Sequence, residues 1–173
     1  MHDACGVVGI SLNETANGAA KSIYYSLYAL QHRGQEAAGI SVHDGKSIRT
    51  HRAMGLVSEV FDDAQIALLR GHVGIGHVRY ATSGRSCIEN SQPLLVKYKD
   101  GAIATAHNGN LVNSTQLREQ LEEAGDIFYS TSDTEVIAHL FVKELLHYDL
   151  PEAARALMRK IVGSYSLVFL WGD

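Results

Sequence analysis

CGVVGISL, residues Cys5 to Leu12, is short, apolar and β-branched, with two glycines. Those features suit a buried strand better than a helix. Downstream, Ile23, Leu27 and Leu30 recur at spacings of four and three. That pattern sets them on one face of a helix over Ala19 to Arg33, with Gly34 as its C-terminal cap. Ala37 to His43 and Lys46 to Ala53 read as two strands joined around Asp44-Gly45, a two-residue hairpin signal. Gly55 to Leu69 holds a short helix near its end. HVGIGHVR, His72 to Arg79, is a strand whose period of two places Val73, Ile75, His77 and Arg79 on one face. Gly101 to His107 is another, built of small residues.

Thr82 to Pro93 reads as a polar loop between those two strands, and loops of this length commonly carry function. Beyond Asn108-Gly109 the pattern turns helical. Asn113 with Gln116 predicts a capping box for a helix carrying Leu117 and Leu121 and ended by Gly125. Ser132 with Glu135 opens a second helix, whose Val136, Ile137, Leu140, Phe141 and Leu145 trace an apolar face to about His147. Pro151 marks the first turn of a third, closed by Gly163. SYSLVFLW, Ser164 to Trp171, is a strand apolar on both faces, which belongs inside a sheet or beneath a second layer. With no residues following to supply such neighbours, the expectation is a C-terminally truncated chain. Strands early and helices late predict an α+β protein with antiparallel sheets and helices packed outside them.

The 173 residues, 46% of them hydrophobic, suffice for one globular domain with a real core. Nineteen acidic residues against fifteen basic ones, with no lysine or arginine run, argue against nucleic acid or an anionic membrane as partner. No apolar stretch is long enough for a membrane-spanning helix. Cys5 and Cys87 make neither a disulfide framework nor a CxxC or Cys/His ligand spacing, so a reducing cytoplasm and no metal site are expected, and Cys87 reads as incidental. No GxGxxG or Walker pattern opens a helix, which excludes nucleotide binding through those loops.

Cys5 has two readings: a small buried hydrophobe, or a nucleophile. If Met1 to Ala4 are removed, Cys5 gains a free α-amine titrating at roughly 7.7 to 8.0, a general base attached to its own nucleophile. Attack on an amide carbonyl then needs oxyanion donors. Asn108-Gly109 offers a side-chain amide beside a glycine N–H, although the same pair is a common turn. An amino-acid substrate further needs a cation for its carboxylate and an anion for its α-ammonium. Arg79 and Asp133 are candidates, with a surface arginine and a helix cap as the plainer alternatives.

Five segments in order and spacing, CGVVGI (Cys5 to Ile10), LQHRGQEAAG (Leu30 to Gly39), GHVRYAT (Gly76 to Thr82), AHNGNL (Ala106 to Leu111) and TSDTE (Thr131 to Glu135), span nearly the whole chain. Together they resemble the glutaminase domain of the glutamine phosphoribosylpyrophosphate amidotransferase family. The resemblance implies a four-layer αββα sandwich of the N-terminal nucleophile hydrolase type. It makes residues 1–4 a short propeptide and residues 5–173 an incomplete glutaminase domain, the phosphoribosyltransferase domain being absent. By position it implies Cys5 as nucleophile and Asn108 and Gly109 as the oxyanion hole. It likewise assigns Arg79 to the glutamine carboxylate, Thr82 to a neighbouring substrate contact, and Asp133 to the α-ammonium. Arg33 and Gly34 shape the loop beside the nucleophile.

The activity implied is glutamine hydrolysis supplying ammonia for 5-phosphoribosylamine synthesis, at the first committed step of purine synthesis. No cofactor is implied for this segment, Mg2+ is expected for the phosphoribosyltransferase domain, and the joined protein is expected to be a homo-oligomer. Some members hold an iron-sulfur cluster, for which no ligand set is present here. A glutaminase domain of the glucosamine-6-phosphate synthase kind is the alternative. Gln31-His32-Arg33-Gly34-Gln35-Glu36 argues against it, since that relative has Glu-Tyr-Arg-Gly-Tyr-Asp there. A non-catalytic regulatory domain of the same fold is a third reading, opposed by the joint presence of Cys5, Arg79, Asn108, Gly109 and Asp133.

Overall fold

The computed structural model describes residues 5–13, 17–80 and 86–172. Thr82 and the stretch Met1 to Ala4 lie outside the described residues. The first half forms β1 (Gly6–Ser11), α1 (Ala19–Ala29), β2 (Ala37–His43), β3 (Ile48–Met54), two short helices α2 (Val57–Val60) and α3 (Asp63–Leu68), and β4 (Val73–Arg79). Its strands make one antiparallel sheet in the order β1-β4-β2-β3. The second half forms β5 (Leu94–Tyr98), β6 (Gly101–Leu111), α4 (Ser114–Glu123), α5 (Asp133–Leu145), α6 (Leu150–Lys160) and β7 (Gly163–Gly172). Here the antiparallel order is β5-β6-β7.

Three apolar clusters define the layers. Ile23 and Leu27 of α1 pack with Ile40 and Val42 of β2, Val57, Phe61 and Val78, on the outer face of the first sheet. Ile103 and Leu111 of β6 pack with Leu121 of α4, Ile137 and Phe141 of α5 and Leu157 of α6, on the outer face of the second. Ile75 of β4 meets Ala104 and Ala106 of β6 and Leu170 of β7 between the sheets. The result is the αββα sandwich that the resemblance implied.

The alternation in β4 is the reason the layers fit. Val73, Ile75 and His77 face the second sheet, and Gly74 and Gly76 face α1. A Cβ on Gly76 would stand 2.3 Å from Ile23 Cγ2, so the missing side chain is the seat for α1. β7 is apolar on both faces for a similar reason: Tyr165, Leu167 and Phe169 join the helix-side cluster while Val168 and Leu170 face the first sheet. A strand between two layers needs no flanking strand on each side to be apolar all round.

Five local readings change. The first helix stops at Ala29, and Gln31–Arg33 form a separate 3-10 turn. Gly34 ends that turn with extended backbone, φ −159°, and is not a left-handed cap. It is small because a Cβ there would meet the carbonyl carbons of Val78 and Arg79 at 2.7 Å. Strand β5 lies in a stretch that the pattern left unassigned, and β6 runs straight through Asn108-Gly109 to Leu111 without turning there. Asn113 does not cap α4 with its side chain; its carboxamide donates to Lys160 O at 2.9 Å and accepts Val162 N–H at 3.0 Å, tying α4 to the start of β7.

Candidate active site

The register Gly6↔Val78 between β1 and β4 delivers Cys5 to the end of β4. There the Cys5 sulfur accepts Tyr80 N–H at 3.4 Å and lies 3.7 Å from Tyr80 O. Arg33 Nε donates to Cys5 O at 3.3 Å, so the 3-10 turn holds the backbone of the candidate nucleophile. Burial raises the thiol above its ordinary value of 9.0, against the opposing pull of the Tyr80 amide and the Arg79 charge. Such a thiol stays protonated at neutral pH and needs a base to become a nucleophile.

Arg79, at the last position of β4, is 6% exposed, and its Nη1 donates to Glu36 Oε1 at 2.5 Å. Glu36 reaches it because Glu36 N–H donates to Arg79 O at 3.0 Å, just before β2 pairs with β4. Asp133 opens α5 and faces β6. His107 Nδ1 stands 3.3 Å from Asp133 Oδ1, and Leu111 N–H donates to Oδ2 at 3.1 Å. Burial works against the Asp133 carboxylate, but the bonds from His107, Leu111 and Thr134 outweigh it and hold its pKa below 3.8. It is therefore an anion at neutral pH.

β6 supplies the floor between them. The β5 ladder ends at the pair Leu94↔Thr105, so the backbone of His107 has no strand partner on that side. Two side chains replace the missing strand: Gln92 Oε1 accepts His107 N–H at 2.7 Å, and His77 Nε2 lies 3.1 Å from His107 O. Burial pushes the His77 pKa down to about 3, so His77 is neutral and its Nε2–H is the donor to that carbonyl. Gly109 has φ +150°, and a Cβ there would lie 2.1 Å from Ser164 O, so only glycine fits.

Cys5, Arg79, Gly109 and Asp133 line one polar cavity of about 210 Å³, together with Tyr80, Asn90, Gln92, His107, Asn110, Ser114, Thr131 and Ser132. Asn108 stands next to Gly109 without lining it, half-buried, and by strand alternation shares with Ala104 and Ala106 the face of β6 turned toward the sheet that carries Cys5. Arg33 and Gly34 act from behind, through Cys5 O and the β4 backbone. Thr82 lies outside the described residues. The sequence pattern did not single out Asn90, Gln92 or His107; the proximity of Asn90 to Pro93 in a polar loop, and of His107 to Asn108-Gly109, were the available signals. Among the described residues, no group of three or more His, Cys, Asp or Glu side chains is placed to hold a metal ion.

A half-buried thiol, a guanidinium and a carboxylate around one small polar cavity suit an α-amino acid whose side-chain carbonyl carbon is attacked by the sulfur. A family model for the glutamine amidotransferase domain matches residues 77–172. The chain is 53% identical over 173 residues to an amidophosphoribosyltransferase from Methanothermobacter thermautotrophicus, covering 98% of this chain and 36% of that protein, and 44% identical to one from Bacillus subtilis, with 98% and 35% covered. It thus spans about a third of the length of the curated relatives it matches. The solved B. subtilis glutamine phosphoribosylpyrophosphate amidotransferase, complexed with ADP and GMP, superposes with a TM-score of 0.84 at 44% identity, over 95% of this chain and 35% of that one. A second structure, of the allosteric regulatory enzyme of purine biosynthesis, gives 0.87 at the same identity and coverage. With more than half of its length under the family model and its layers matching those structures, the chain belongs to the glutamine amidotransferase domain family, in the N-terminal nucleophile hydrolase fold.

Proposed function

We propose that the chain is the glutaminase portion of an amidophosphoribosyltransferase, with Cys5 as its nucleophile. Arg79 receives the glutamine carboxylate and Asp133 the α-ammonium, which aims the side-chain carboxamide at the Cys5 sulfur. Removal of Met1 to Ala4 frees the Cys5 α-amine. That amine takes the thiol proton, the sulfur attacks the carboxamide carbon, and the oxyanion is met by Gly109 N–H and the Asn108 carboxamide. The C–N bond breaks with the proton returned to nitrogen, releasing ammonia. Water then cleaves the thioester to glutamate and regenerates the thiol.

In this reading ammonia passes to a phosphoribosyltransferase domain and displaces pyrophosphate there to give 5-phosphoribosylamine, a second reaction for which that domain would use Mg2+. That domain, the homo-oligomer and a cytoplasmic location are parts of the proposal. The reading draws on one observation above all: Cys5, Arg79 and Asp133 come from three distant segments to a single cavity. No helix among the described residues is long and apolar enough to cross a membrane.

Glutamine hydrolysis by the chain, followed with intact-mass analysis, tests the proposal. Active material is expected to start at Cys5, and Cys5→Ser is expected to lose at least a thousandfold in turnover while remaining folded. Full activity with Met1 to Ala4 attached, or in Cys5→Ser, would falsify it.

A further inference from the structure

The segment Asn90–Gln92 crosses from one wall of the cavity to the other, and each of its residues is gripped. Asn90 is 2% exposed. Its Nδ2 donates to Thr131 Oγ1 at 3.0 Å, and its Oδ1 accepts Thr131 N–H at 3.0 Å. Ser91 Oγ donates to Ile88 O at 2.6 Å, and Arg52 Nη1 donates to the Ser91 carbonyl. Gln92 holds the His107 amide, and its own carbonyl lies over Gly39, where a Cβ would come within 2.1 Å. The segment is thus fixed to both sheets before it meets Thr131.

Thr131 lies two positions before Asp133. In the intervening turn, Ser132 N–H donates to Ser130 Oγ at 3.2 Å, and Ser132 Oγ accepts Thr134 N–H at 3.1 Å. Glu135, which the capping-box reading pointed at the Ser132 amide, accepts Tyr129 N–H at 3.0 Å and Ser130 N–H at 2.7 Å. The turn is therefore held from below by α5 itself and by Arg118 of α4, whose Nη2 donates to Ser130 O at 3.0 Å and to Ser132 O at 3.2 Å. From the cavity side, the Asn90 carboxamide fixes the N–H and the hydroxyl of Thr131.

We infer that Asn90 is a positioning residue for Asp133: by clamping Thr131 it sets where the chain enters α5, and so where the Asp133 carboxylate stands relative to Cys5 and Arg79. This rests on Asp133 being the partner of the substrate α-ammonium. Loosening the clamp weakens a contact made equally in the ground and transition states, so it acts on KM rather than kcat.

The test is Asn90→Ala in the full chain, with a folded circular-dichroism spectrum as control. The KM for L-glutamine is expected to rise about tenfold with kcat within about twofold. Hydrolysis of 4-carbamoylbutanoate, which has the carboxylate and carboxamide but no α-amino group, is expected to change by less than about twofold. In the unliganded chain, Thr131 amide exchange is expected to accelerate about tenfold or more. An unchanged KM for glutamine, or equal loss on both substrates, overturns the inference. Should the wild-type chain hydrolyse no glutamine, the functional reading fails by itself, and unchanged Thr131 exchange in Asn90→Ala then overturns the clamp. If Asn90→Ala does not fold, Asn90→Asp keeps an acceptor for Thr131 N–H and loses the Nδ2 donor, and a smaller change in the same direction is expected.

Discussion

Gly34 shows how one atom can govern a site it does not enter. A Cβ at this position would press on the backbone of Val78 and Arg79 at 2.7 Å, a rigid neighbour that cannot rotate away. Gly34→Ala is therefore expected to cost about 1 to 3 kcal/mol by overpacking, read from urea unfolding. The same push displaces Arg79, so a raised KM for glutamine should accompany the loss of stability; a stable variant with wild-type KM contradicts this. Cys5, Arg79, Gly109 and Asp133 were legible in the sequence because each sits in a short motif whose chemistry can be named. Asn90, Gln92 and His107 were not, because their roles are hydrogen bonds to Thr131, to His107 and to Asp133, partners that only the folded chain supplies.

Helix α1 rests on glycines, and its stability follows from that seat. Ile23 is fully buried, with Gly74 and Gly76 of β4 beneath it. Ile23→Ala is expected to destabilise by about 2 to 5 kcal/mol in urea unfolding, toward the upper end, since two glycines offer no side chain to fill the space. A cost below about 1 kcal/mol would mean that the helix can settle onto the sheet. The periodicities that reveal elements worked where one face is apolar, as in α1, β4 and α5. They failed at β5, whose LLVKY run follows Pro93 and lacks strict alternation, and at Asn113, whose expected cap yields to Lys160 and Val162. A cap that can be outbid by a tertiary partner is not visible to local spacing.

The whole fold carries an acid-sensitive element at its centre. His77, fully buried between the sheets, has its pKa lowered from 6.5 to about 3. The unfolded chain takes up a proton below pH 6.5 that the folded chain refuses, so stability is full above pH 6.5 and falls as pH drops toward 3. Each pH unit across that window is worth roughly 1.4 kcal/mol at most. The lowered pKa of Asp133 adds a loss of the same sign below 3.8. Urea midpoints are expected to fall steeply from pH 6.5 to 4, with a flatter slope in His77→Gln, whose amide can still donate to His107 O; equal slopes would remove His77 as the cause.

The pairing registers carry a kinetic consequence. Gly6 pairs with Val78 and Ala102 with Gly172, so each sheet closes only after a long stretch of chain has been made and collapsed. Pairings of such separation are slow to form, because loop entropy is lost before the contacts return it. Cys5 reaches its pocket through the first of these closures and finds Asp133 across from it only when the two sheets have docked. Until then the thiol is an ordinary reactive side chain in a growing polypeptide, so the period of synthesis and folding is when it is most open to stray oxidation.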